Sequence, residues 1–330
     1  MLEECDASRG SIAFVVSYGS YGLRLLNSFF IFLVHCVAMT HEHFVDSVYL
    51  HRVPPSDTLA VSLQLRDRWN DSLEKVALPH GLQRLTFGDY FNKSLELVHL
   101  PNGLEIIEFH GRYNQPLDKV ALPSGLQSLT FGNRSKFNRC MDKVALPSGM
   151  QRLTMTGIRF NHRLDKVALP SGLRHLELGG KFDQNIEKVA LPQGLIHLEL
   201  KGKFNRSMDQ VALPSGLEVL IFGSTFNKRM QKVALPSSLQ ILHFGDAFNQ
   251  PMEMVALPSG LQKLRFGYMF NKSIEKVALP KGMLELTFGM GFRQPLEKVA
   301  LPSSLRNVAV RSDCLEGMSC RPEFCTFDFV

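Results

Sequence analysis

The dipeptide Leu-Pro returns at a fixed interval along most of the chain, its proline at Pro79, Pro101, Pro123, Pro147, Pro170, Pro192, Pro214, Pro236, Pro258, Pro280 and Pro302. Eight of the ten spacings are 22 residues and the other two are 24 and 23. Such a period describes one small unit stacked on itself, each copy covering the apolar faces of its neighbours. Written out, the unit is L-P-S-G-L-Q-x-L-x-F-G-x-x-F-N-x-x-L-E-K-V-A. A degenerate first copy begins near Pro54, with Leu63 and Leu65 at the strand leucines, Trp69 at the corner aromatic and Asn70 beside it. At the other end Leu305, Val308 and Val310 form a last strand without its F-N corner, so the array ends near Asp313.

A unit of this length is too short for two packed helices and their turns, and its recurring proline and glycine would break any helix. Strands remain. The pattern apolar-x-x-apolar-x-apolar occurs twice per unit, as Leu73, Val76, Leu78 and as Leu82, Leu85, Phe87, and each run turns alternate side chains inward. The expected fold is therefore an all-β repeat: a parallel β-solenoid with two short parallel sheets and about 22 residues per coil. With both halves of the unit extended, the array is expected to be nearly straight.

The aromatic composition fits one slot filled repeatedly, since 24 Phe stand against 6 Tyr and 1 Trp. One spine runs from Phe91 through Tyr113, Phe137, Phe160, Phe182, Phe204, Phe226, Phe248 and Phe270 to Phe292. A second occupies the strand ends at Phe87, Phe109, Phe131, Phe222, Phe244, Phe266 and Phe288. The asparagine after the corner aromatic recurs at Asn92, Asn114, Asn138, Asn161, Asn205, Asn227, Asn249 and Asn271, and its amide is suited to backbone groups left unpaired at a bend. Asp183 and Arg293 depart from that column.

These residues resemble the FNIP repeat, a relative of the leucine-rich repeat. The F-N-Q-P-[LM] form stands at Phe248 to Met252, and Tyr113 to Leu117 and Phe292 to Leu296 are one substitution away. The resemblance covers about residues 60 to 310 and implies an interaction module, in some proteins joined to an F-box. In residues 1–53 no Leu-Pro opening is followed by an amphipathic helical run of the F-box type, which departs from that arrangement.

Three regions follow: an apolar leader at 1–53, the repeat solenoid at 54–313 and a cysteine-containing cap at 314–330. The stretch from Ile12 to Met39 is apolar, but Arg24, Asn27 and His35 interrupt it. Its uninterrupted apolar part is shorter than the roughly 20 residues that span a bilayer. Glu3, Glu4 and Asp6 occupy the place of a basic signal-peptide start. The chain is accordingly expected in the cytoplasm, the alternative being a membrane anchor through residues 12–39. Cys314, Cys320 and Cys325 fit no zinc spacing and are expected as reduced thiols. Of five N-x-[ST] sequons, at Asn70, Asn92, Asn133, Asn205 and Asn271, all but Asn133 use the asparagine column, so they reflect a structural asparagine expected to be buried.

A net charge of +6 with bases and acids interleaved gives no nucleic-acid stripe. No G-x-S-x-G, P-loop, H-E-x-x-H or dinucleotide fingerprint is present, so the reading is non-enzymatic, with no cofactor and no metal site. The outward positions of the first half-unit are nearly uniform, with Glu or Asp followed by Lys at 74/75, 118/119, 142/143, 165/166 and 187/188. The second half-unit varies. Its outward positions hold His175, Glu177, His197 and Glu199, then Val219, Ile221 and Ile241, then His243, Lys263 and Arg265. Apolar and ionisable side chains clustered on an open face resemble a partner-binding surface. The expected partner is a protein rather than a nucleic acid, and membrane contact is expected only if the leader is an anchor. The expected function is a protein-protein interaction scaffold. A secreted or membrane-anchored adhesion protein and a ubiquitin-ligase adaptor are the alternatives. An ice-binding solenoid would need more than Thr86, Thr130, Thr154 and Thr287, and a hydrolase would have only Glu177 and Glu199 as candidate carboxylates.

Overall fold

The computed structural model describes residues 49–52, 61–310 and 326–328. One strand per coil joins a single sheet whose spatial order is the chain order: β1 (Tyr49–Arg52), β2 (Val61–Gln64), β3 (Leu82–Phe87), β4 (Ile106–Phe109), β5 (Ser128–Phe131), β6 (Arg152–Met155), β7 (His175–Leu178), β8 (His197–Leu200), β9 (Val219–Phe222), β10 (Ile241–His243), β11 (Lys263–Arg265), β12 (Glu285–Thr287), β13 (Asn307–Ala309) and β14 (Thr326–Asp328). Strand β1 runs antiparallel to β2, and every later pairing is parallel. Equivalent residues stack in register, so that Leu198 lies between Leu176 and Leu220. The x-Leu-x-Phe pattern supplies the burial: in β9 Leu220 and Phe222 are buried while Val219 and Ile221 are half-exposed. No helix is present among the described residues.

The leucine-rich-repeat-like parallel solenoid is therefore the fold, but among the described residues the second of the two expected sheets does not form. Leu73, Val76 and Leu78 do point inward. They do so from tight turns: Val76 N–H donates to Leu73 O at 3.0 Å, and Val120 N–H to Leu117 O at 3.1 Å. The next turn closes on the proline carbonyl, with Leu82 N–H bound to Pro79 O at 3.0 Å. These bonds close within one coil. Proline has no N–H to give to a neighbouring coil, and the apolar spacing of three residues is that of a turn.

The expected straightness falls with the missing sheet. Hydrogen bonding holds adjacent strands about 4.8 Å apart. At the strand-end phenylalanines the rings of successive coils lie from 4.7 Å apart, between Phe87 and Phe109, to 5.7 Å, between Phe244 and Phe266. At the corner phenylalanines the separation is 6.0 Å between Phe204 and Phe226. Spacing that widens away from the sheet makes the coils fan, so the array curves with its sheet on the inner side.

Both aromatic spines are present. Trp69 stacks on Phe91 at 5.4 Å and 6°, which confirms the degenerate first coil. The corner column continues through Phe292, which stacks on Phe270 at 6.0 Å. The strand-end column is interrupted by Met155, Leu178 and Leu200. Tyr113 places a hydroxyl in a slot made for phenylalanine, fully buried, and Oη has no hydrogen-bond partner among the described residues. Burial pushes its phenol pKa up. Tyr113→Phe is expected to stabilise the array by about 1 kcal/mol, because an unpaired buried hydroxyl is removed without loss of ring packing. Calorimetry on the two proteins measures this, and an unchanged or lower midpoint contradicts it.

The asparagine column is a hydrogen-bonded ladder. Asn205 Oδ1 accepts from the backbone N–H of Asn227 at 2.9 Å, and Asn227 Oδ1 from that of Asn249 at 3.0 Å. Asp183 keeps the bond, its Oδ1 accepting from Asn205 N–H at 2.9 Å. Arg293 donates its N–H to Asn271 Oδ1 but offers no oxygen onward. The side chains are half-buried or exposed rather than buried as expected: each carbonyl oxygen is engaged at the surface. The sequons have a structural origin, since Ser94 and Ser273 accept from Glu96 and Glu275 N–H two residues on. Asn205→Ala is expected to cost about 1–3 kcal/mol by stranding the Asn227 N–H. Lys166→Ala, on an exposed turn, is expected to change little. Equal thermal midpoints for the two variants would show that the ladder is not structural.

The leader at 12–39 and the three cysteines of the C-terminal cap lie outside the described residues, as does most of the 1–53 region. Among the described residues no helix is long and apolar enough to cross a membrane.

Candidate functional site

The inner face of the sheet is set by which positions of x-Leu-x-Phe point outward. The parallel register converts that repeat position into two adjacent rows. His175, His197, Val219, Ile241 and Lys263 form one, and Glu177, Glu199, Ile221, His243 and Arg265 form the other. All the candidate residues read from the sequence are thus brought together across β7 to β11. Every one is half-exposed except Arg265, which is exposed.

At the β7–β8 end the face is electrostatically closed. The His175 and His197 rings lie 5.4 Å apart. His197 Nε2 is 2.5 Å from Glu199 Oε1. Lys201 Nζ donates to Glu177 Oε1 at 2.8 Å and is also in ion-pair contact with Glu199. Burial alone would raise the Glu199 pKa, but the hydrogen bonds from His197 and Lys201 outweigh it and bring it down to about 2. Burial would likewise lower Lys201, and its bonds to Glu177 and Glu199 reverse the direction. His175 is held below the ordinary imidazole range, first by burial and then by Arg152, His197 and Arg174. The two carboxylates are thereby engaged by cations of the chain. No group of three or more His, Cys, Asp or Glu among the described residues is arranged to hold a metal ion.

The template hid Lys201. It stands directly after the strand, where Gly88, Gly132, Gly223 and Gly245 stand in other coils, and the turn glycine moves one place to Gly202 at φ 64°. His110 and Gly111, at φ 48°, make the same exchange. Comparing that single column would have revealed both side chains.

Strands β9 to β11 carry the apolar part of the face and its basic border. Lys263 Nζ donates to Glu285 Oε1 at 2.6 Å. His243 is lowered first by burial, then by Arg265 and Lys263. Three large apolar side chains border this region on the turns that follow β11 and β12: Tyr268 is 58%, Met269 55% and Met290 53% exposed. Sequence reasoning missed them as well. Their signal lies in the two positions after the strand-end glycine, which are polar at Asp89, Ser224 and Asp246 although not at Tyr90 and Ile158. Near β4 to β7 a shallow open cleft is lined by Asp89, His110, Arg134, Thr154 and Glu177 among others. Arg134 and Asp89 approach within 3.9 Å across it.

The chain resembles a circular leucine-rich-repeat protein, CroV588, at 34% identity and a TM-score of 0.61. That match covers 76% of this chain and 40% of the other, so the chain spans well under half of that protein's length. A leucine-rich-repeat protein from Bacteroides ovatus aligns over 88% of this chain and 100% of its own, at 13% identity and a TM-score of 0.21. No curated protein matches significantly. The model of the FNIP Repeat matches in eight segments, most of them overlapping: 69–112, 91–134, 113–157, 160–203, 182–225, 204–246, 226–269 and 270–309. Together they take in most of the chain, their repeated Phe-Asn corner is the laddered slot described above, and the protein therefore belongs to the FNIP repeat family.

Proposed function

We propose that the protein is a non-catalytic scaffold that binds another protein on the inner face of its sheet, across β7 to β11. The observation that carries this reading is the aliphatic patch Val219, Ile221 and Ile241 on three half-exposed neighbouring positions of a face that elsewhere is polar or charged, Ile106 and Ala309 standing singly. The fold does not need these side chains: equivalent positions hold Arg84, Ser128 and Arg152 without change of register. Apolar surface retained at a position free to vary is what a partner would cover.

Changing Ile221 and Ile241 together to serine is expected to leave stability within about 1 kcal/mol of the parent, because neither supports the core. The same change is expected to abolish partner capture, whereas Lys166→Ser with Lys188→Ser on the opposite side does neither. A photoreactive residue placed at position 241 or at position 166, followed by irradiation in cell extract, separates the faces. Discrete adducts at 241 that disappear with Ile221→Ser support the reading. Adducts at 166 and not at 241 would reverse the choice of face.

A further inference from the structure

The partner's chemistry can be read from what the face leaves uncompensated. From β7 to β12 each carboxylate on it already has a cation of this chain: Glu177 and Glu199 share Lys201, and Glu285 holds Lys263. Arg265 is exposed and has no ion-pair partner among the described residues. It lies in register beside His243, in the same row as Ile221. The turns carrying Tyr268, Met269 and Met290 leave the sheet from the end of that row. They stack coil on coil, with Gly291 N–H bound to Tyr268 O at 2.9 Å, so Met290 succeeds Tyr268 in one column. Tyr90, at the corresponding turn of an earlier coil, is covered differently: the Arg112 guanidinium sits 4.0 Å over its ring. No such cover is found on Tyr268 among the described residues.

Resting on the reading above, we propose that Ile221, Ile241, Arg265, Tyr268, Met269 and Met290 form one docking surface, and that its occupant is an acidic segment of another protein carrying aliphatic or aromatic side chains. The carboxylate of that segment meets Arg265, since Lys263 is already engaged by Glu285. Its apolar side chains cover the isoleucines and the tyrosine-methionine edge, where unbranched methionines adapt to irregular shapes. Charge complementarity selects this occupant over a basic segment, which Arg265 would repel.

The test is selection from a random peptide library displayed on phage, using the full chain as bait and the Ile221→Ser, Ile241→Ser chain for counter-selection. Enriched peptides are expected to combine Asp or Glu with Leu, Ile, Phe or Trp. They are expected to bind the Arg265→Glu chain about tenfold more weakly, and the Tyr268→Ser, Met290→Ser chain more weakly as well. Basic or uncharged consensus peptides, affinity indifferent to Arg265→Glu, or no enrichment would overturn the proposal. So would self-association that vanishes in the isoleucine variant, since the occupant would then be a second copy. If adducts still form at position 241 while the library shows no acidic preference, only the partner chemistry fails. Loss of both removes the binding face itself.

Discussion

Phe204→Ala is expected to destabilise the array by about 3–5 kcal/mol, at the high end for a core truncation. Phe204 is fully buried and stacks between Phe182 at 6.1 Å and Phe226 at 6.0 Å. In most coils a strand-end phenylalanine lies against the corner ring, as Phe222 does against Phe226 at 3.9 Å. The coil of Phe204 has Leu200 there instead, and the preceding coil has Leu178, so no strand-end ring of either coil leans against this corner. Because coils interact chiefly with their neighbours, a weak joint in the middle of the stack should divide it. Urea unfolding followed by amide exchange is expected to show two transitions, one on each side of β8. One transition with a loss below about 1 kcal/mol would mean that the ring is replaceable.

Gly245→Ala is expected to cost about 2–4 kcal/mol for a different reason. A Cβ there would lie 2.1 Å from Gly223 O and 2.7 Å from Ser224 N, both backbone atoms of the preceding coil. No side chain can move aside to accommodate it, so the two turns must separate and their hydrogen bonds stretch. Gly81, in the Leu-Pro half of the unit, has nothing within 4 Å of its would-be Cβ. Gly81→Ala should therefore be close to neutral, or stabilising through a less mobile unfolded chain. Similar thermal midpoints for the two alanine variants would contradict the close approach of coils at the strand-end turn.

The contrast between these glycines shows what the repeat made legible. Period, inward leucines, stacked phenylalanines and the asparagine ladder all follow from identical residues recurring at one offset, which in a stacked array means direct contact. The same logic assembled the candidate face, since a shared repeat position became a shared row of the sheet. Conformation within the unit was less legible. Leu73, Val76 and Leu78 face inward either as a strand or as a turn, and only the hydrogen bonds, closed locally beside a proline, distinguish the two. Departures from the template were also hard to read. Lys201 occupies a glycine column and pairs with both candidate carboxylates, while Tyr268, Met269 and Met290 stand in a turn column outside the strand positions that were compared.

The asparagine ladder also bears on how such a chain changes length. Each corner receives a bond from the coil before it and offers the same bond to the coil after it, so Asn205 is served by Asp183 and serves Asn227. A coil duplicated or deleted within the array by unequal recombination leaves every corner with one donor and one acceptor. The joint itself therefore sets no limit on the number of coils. Arg293 is the exception, because it takes the bond from Asn271 and passes none on. A coil copied together with Arg293 would leave the corner after it without that bond.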